Sequence, residues 1–126
     1  MKKVLFGFAF TLILASCGSQ KEVSVENKPP LAEVISEADV TLVDVRIPEE
    51  YKEATANNAV NVPLAEIENN IDFFKKQKKV VVFCNRGIQA DKAIEILKKN
   101  GVENVVDGTS WKNVKALQDQ NKLKKD

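Results

Sequence analysis

Two spacings of apolar residues alternate along this chain, one suited to helices and the other to strands. "LAEVISEA" places Leu31, Val34, Ile35 and Ala38 at i, i+3, i+4 and i+7, one apolar face of a short helix. "VTLVDVR" is β-branched and alternating, which predicts a strand. Pro48 ends it and opens a short helix over "PEEYKEA". A brief strand at "AVNVP" precedes "LAEIENNIDFFKK", where Leu64, Ile67, Ile71 and Phe74 recur at helical spacing. "KKVVVFC" is continuously apolar before its cysteine, as a central strand covered on both faces must be. The next segment puts Ala90, Ala93, Ile94 and Leu97 on one stripe, has Lys98 and Lys99 in its last turn, and stops at Asn100-Gly101. "VENVV" predicts a further strand and "SWKNVKALQDQNKL" a final helix. Strand and helix alternate, so the expected fold is α/β, a three-layer domain with a mainly parallel central sheet and helices on both faces.

The N-terminus follows a different pattern. Lys2 and Lys3 precede an apolar or small stretch from Val4 to Ala15, ending in "LASC". That is the charged region, apolar core and small-residue exit of a secretory signal, too short for the roughly 20 residues of a membrane span. "LASC" resembles the lipobox of bacterial lipoproteins, which implies that Cys17 becomes a lipidated first residue. Several acyl chains on one residue anchor a protein stably to a membrane. The expected organisation is a signal over 1–16, a lipidated Cys17 with a polar, proline-ended tether over 17–30, and one domain over 31–126. The domain would then lie outside the cytoplasm, in the bacterial cell envelope (periplasm or cell surface), held by a tether with a flexible reach of roughly 20 Å. Of the 19 basic residues only Lys2 and Lys3 fall in the signal, so the remainder nearly balances the 18 acidic ones. Such a balance gives no electrostatic reason to expect a nucleic-acid partner.

Chemistry concentrates at Cys84, one of two cysteines in the chain. It stands at the carboxyl end of the predicted central strand, and Asn85, Arg86, Gly87, Ile88, Gln89 and Ala90 turn the chain into the following helix. This is the edge at which open α/β sheets bind ligands. Unpaired first-turn amides and the positive end of the helix dipole make an anion site there, and Gly87 permits a tight turn that aims successive amides inward. The same environment favours a negative sulfur, the form in which cysteine attacks. A small buried hydrophobe at a strand end is the competing reading of Cys84.

Several segments together resemble the rhodanese family, most closely its small single-domain, phage-shock-type thiosulfate sulfurtransferases. "LVDVRIPEEYKEA" is similar to the family's Asp-x-Arg opening with Glu-Glu-aromatic, and "NAVNVPLAEI" to its Gly-Ala-x-Asn-Ile-Pro stretch. "VVVFCNRGIQADKAIEILKKNGVENV" resembles the active-site loop, its helix and the next strand, and "DGTSWKNV" the Gly-Gly-x-x-x-Trp region. The resemblance implies that Cys84 takes the outer sulfur of a small anionic donor such as thiosulfate and passes it to a thiol or cyanide acceptor, without metal or other cofactor. Amides of residues 85–90 would cradle the anion, and Asp44 and Arg46 would support the loop. A chain without histidine suits chemistry that needs no separate base.

The departures bear on substrate. Gln89 and Ala90 stand where the family commonly has arginine and a hydroxyl residue, Asn57-Asn58 interrupts its Gly-His-Ile-x-Gly stretch, and Thr109 replaces the second glycine before Trp111. The loop cation therefore rests on Arg86, two residues after Cys84. Cysteine phosphatases of this fold need an arginine at the position of Ala90, and thiol–disulfide oxidoreductases need Cys-x-x-Cys. The remaining alternative to a sulfurtransferase is a non-catalytic, anion-binding or scaffolding module.

Overall fold

The computed structural model describes residues 27–126, so the expected signal, Cys17 and most of the tether lie outside the described residues. Four parallel strands form one sheet: β1 (Val40–Asp44), β2 (Val60–Asn61), β3 (Lys79–Cys84) and β4 (Val105–Ser110), in the order β2-β1-β3-β4. Among them run α1 (Leu31–Val34), α2 (Pro48–Glu53), α3 (Ile71–Lys76), α4 (Ile88–Lys99) and α5 (Trp111–Lys125).

The alternation of side chains along β3 explains the layering. Val80, Val82 and Cys84 face a core shared with Ile67, Phe74, Ala90, Ala93 and Leu97 on the α3–α4 side. Val81 and Phe83 face the opposite core, with Val34, Leu42 and Val114 on the α1–α5 side. Residues Val80 to Phe83 are fully buried, the consequence of helices on both faces.

Three elements differ from the pattern-based reading. The first helix is a single turn ending at Val34, where Ser36 Oγ donates to the Glu33 carbonyl, and Ala38 is exposed. Residues 64–76 are two 3₁₀ turns followed by α3, because asparagine side chains compete with the helical ladder. Asn70 Nδ2 donates to the Glu66 carbonyl at 2.8 Å while the Asn70 backbone leaves the helical region. The buried positions Ile67 and Phe74 nonetheless reach the core as the spacing predicts.

The fourth strand begins later than "VENVV" implies. Gly101 (φ +83°) donates to the Lys98 carbonyl and Val102 to that of Leu97, a Schellman motif that makes Val102 part of the α4 cap. The strand instead runs through "VVDGTS", with a register shift where Val82 pairs with Asp107 but Phe83 with Thr109. A Cβ at Gly108 would come within 2.8 Å of Val81 Cγ1 and 3.0 Å of Val114 Cγ2. Only glycine lets α5 approach β3 so closely. Ser110 then caps α5 by accepting from the Asn113 amide at 3.1 Å, and Asn121 Nδ2 near the far end of α5 donates to the Ala32 carbonyl at 2.7 Å.

Candidate active site

Cys84 ends β3, and only three residues separate it from the start of α4. Gly87 occupies the N-cap of α4 with φ +92°, and α4 has no side-chain cap, so the first-turn amides have no intrahelical acceptor. The Gly87 amide donates to Cys84 Sγ at 3.0 Å, and Sγ lies 3.7 Å from the Thr109 carbonyl oxygen. Cys84 is 2% exposed, yet it lines an open cavity of about 490 Å³ together with Glu50, Asn85, Arg86, Ile88, Gln89 and Lys92. A thiol buried on its strand but reachable from a cavity is placed for reaction with a small solute.

Thr109 adopts φ +65°, a left-handed conformation that β-branched residues rarely take. Its amide donates to Asp107 Oδ1 at 2.7 Å, which helps to hold the turn. A Cβ on Gly87 would stand 3.2 Å from Thr109 Cγ2, so this threonine closes off the space beside the cysteine loop. In the sequence Thr109 registers only as a missing glycine; in the fold its Cγ2 stands beside Gly87 and its carbonyl faces Cys84 Sγ.

Asp44 and Arg46 lie beneath the loop and are not a surface pair. Asp44 is fully buried and Arg46 is 4% exposed. Asp44 accepts from Arg46 Nε and Nη2, from the Arg46 amide and from Thr55 Oγ1. Arg46 also donates to the Ala54 carbonyl and, at 3.2 Å, to Asn85 Oδ1, and its guanidinium stands 5.3 Å from the Trp111 ring centroid. Asn85 Nδ2 in turn donates to Glu50 Oε1 at 2.8 Å. One continuous network thus runs from the core of β1 to the residue next to Cys84.

Asn85, Arg86, Ile88 and Gln89 are exposed, whereas Gly87 and Ala90 are buried against the fold. Among the described residues Arg86 makes no ion pair. Two cavity residues were not singled out from the sequence. Glu50 sits within the "PEEY" turn, and Lys92 follows Ile88 by four positions on α4, a helical spacing that was available as a signal. Among the described residues no cluster of three acidic or sulfur side chains gathers that could hold a metal ion, and no helix is long and apolar enough to cross a membrane.

A parallel sheet whose central strand delivers a cysteine into a helix-capping loop is the arrangement of rhodanese domains, and the family model of the Rhodanese-like domain matches residues 29–116. The chain belongs to the rhodanese-like domain family. It is 35% identical over 74 residues to the thiosulfate sulfurtransferase PspE of Escherichia coli (strain K12), covering 57% of this chain and 71% of that protein. A tRNA uridine(34) hydroxylase of Pelagibacter ubique (strain HTCC1062) is also 35% identical, over 75 residues, but the match spans 57% of this chain and only 25% of the hydroxylase. Among solved structures, a rhodanese with anions from E. coli superposes with a TM-score of 0.54 at 34% identity, covering 59% of this chain and 89% of that one.

Proposed function

We propose that this protein is a sulfurtransferase that carries sulfane sulfur on Cys84. The observation that supports the reading best is the buried, amide-contacted Cys84 Sγ at the floor of an open cavity. The likeness to a thiosulfate sulfurtransferase supports it further. In the first half-reaction the Cys84 thiolate attacks the outer sulfur of thiosulfate. A bond forms between the two sulfurs, the sulfur–sulfur bond of thiosulfate breaks, and sulfite leaves with the bonding pair. In the second, a thiolate or cyanide attacks the terminal sulfur of the Cys84 persulfide and releases the Cys84 thiolate. In each half-reaction the nucleophile supplies the pair for the new bond and the leaving group keeps the pair of the old one, so no net electrons are transferred and no redox partner is required, and ping-pong kinetics follow from the covalent intermediate.

The loop can serve both steps without moving a proton through a separate base. Gly87 N–H holds the attacking sulfur, and the uncapped first turn of α4 offers donors to the anionic donor and to the persulfide. We further infer from "LASC" that Cys17 is acylated after removal of residues 1–16, so that the domain works at a membrane surface in the cell envelope.

One measurement tests both parts. Intact-mass analysis of protein extracted from membranes, before and after excess thiosulfate, should show the acyl groups in the first spectrum and one added sulfur atom in the second. A soluble protein with a free Cys17 overturns the anchor, and no sulfur adduct overturns the transfer chemistry in favour of an anion-binding module. For Arg86, exposed at the cavity mouth, Arg86→Ala should slow adduct formation from thiosulfate by the roughly 1.5–3 kcal/mol of a charge-assisted hydrogen bond and affect a neutral persulfide donor less. Equal slowing with both donors would show that Arg86 holds the loop and not the anion.

A further inference from the structure

Lys92 is a cavity cation on a different element from Arg86. It projects from the second turn of α4, three residues beyond Gln89 and four beyond Ile88, and lines the cavity that contains Cys84. Side chains on a helix lean toward its N-terminus, so the Lys92 stem covers the turn that holds Ile88 and Gln89. One turn is about 5.4 Å, within the span of a four-carbon stem. Lys92 therefore reaches over the part of the loop where Gln89 provides no charge.

Its charge is also uncommitted. Lys92 borders a second cavity of about 310 Å³ that contains Glu68 and Glu95, yet among the described residues it forms an ion pair with neither. Among the described residues the Cys84 cavity holds one carboxylate, Glu50, and it is hydrogen-bonded to Asn85. Two cations without ion-pair partners among the described residues, Arg86 on the loop and Lys92 on the helix, thus share the cavity with one engaged carboxylate and the thiol. A monovalent patch would suffice for a singly charged ligand. Two cations approaching from separate elements suit a small dianion with its charge spread over several oxygens.

We propose that Lys92 is a specificity-determining residue that selects small anions, dianionic sulfur donors in particular, for reaction at Cys84. The proposal rests on the sulfurtransferase reading for its substrate class. Its selection for charge can be measured without transfer activity.

The experiment compares alkylation of Cys84 by iodoacetate, an anion, with alkylation by iodoacetamide, its neutral counterpart, in the full chain, scored on the Cys84 peptide by mass spectrometry. The ratio of the two rates cancels changes in the reactivity of the sulfur itself. Lys92→Gln should lower the iodoacetate-to-iodoacetamide ratio by roughly three- to tenfold at low ionic strength, and added salt should narrow that difference. Lys92→Arg should restore the ratio. Lys99→Gln, on the same helix but lining only the second cavity, should leave it at the wild-type value. A ratio equal to wild type in Lys92→Gln, or an equal fall in Lys99→Gln, overturns the proposal. With thiosulfate as the probe, Lys92→Gln should slow adduct formation by a similar factor. If wild type forms no adduct while the alkylation ratio still depends on Lys92, the sulfurtransferase reading falls and anion selection stands.

Discussion

Cys84→Ser is expected to form no sulfur adduct with thiosulfate and to pass no sulfur to cyanide, while the fold survives. Serine places an oxygen where the sulfur was, able to accept from the Gly87 amide and to donate to the Thr109 carbonyl, so both contacts of Sγ have a replacement. The cost of a more polar atom at a 2% exposed position should stay near 1 kcal/mol. For a domain of this size that lowers Tm by about 4–8 °C. An alkoxide does not form at neutral pH and has no comparable affinity for sulfur, so loss of transfer should be complete. Transfer retained by the serine variant would place the nucleophile elsewhere in the chain. A collapse in Tm would mean that the sulfur serves packing, and the variant would then say nothing in favour of chemistry.

Asp44→Ala should have the largest effect on stability. The carboxylate is fully buried and accepts hydrogen bonds from four donor groups, three of Arg46 and one of Thr55. Its removal leaves the Arg46 guanidinium, 4% exposed, without a counter-charge in the core. Breaking one side of such a buried pair costs about 3–5 kcal/mol, enough to lower Tm by more than about 12 °C. Asp44→Asn, which keeps one of the two oxygen acceptors but neither the second nor the charge, should fall between alanine and wild type. Adduct formation should fall with it, because Arg46 also holds Asn85 beside the thiol. A loss below about 1 kcal/mol in Asp44→Ala would show that water or a shifted side chain readily takes the carboxylate's place, and that the network does not steady the loop.

The two variants test parts of the site that differ in how plainly the residue pattern announced them. Cys84 was plain, because a continuous apolar run, a glycine and a helical stripe leave little choice about where the strand ends and the helix begins. Asp44 and Arg46 stood out only through family resemblance; their burial could not be read from local pattern, since an Asp-x-Arg pair is equally at home in water. The course of β4 was hidden because its second half is polar and contains a glycine, which argue against a strand. What overrides them is pairing to β3 and the close approach of α5. The broken helix over 64–76 differs for the opposite reason: its apolar spacing is helical, but the Asn70 side chain offers the Glu66 carbonyl another partner. Lys92 went unmarked since a lysine on an exposed helical face ordinarily signals nothing more than solvation.

The four strands share one direction, so the domain has two unlike ends. Cys84 and the start of α4 stand at the carboxyl end of the sheet. The chain comes in at the other end: α1 and the turn over 35–39 lead into the first residue of β1, Ala32 is fastened to the late turns of α5, and Pro29 lines one cavity with Lys79 and Val105, where β3 and β4 begin. Anything joined to the domain through its N-terminal side is therefore separated from the thiol by the length of the sheet. If that attachment is a lipid at Cys17, it joins the domain at the end opposite the reactive sulfur. Donor and acceptor could then meet it from the open side, and a bulky acceptor protein would not have to pass between the domain and the bilayer.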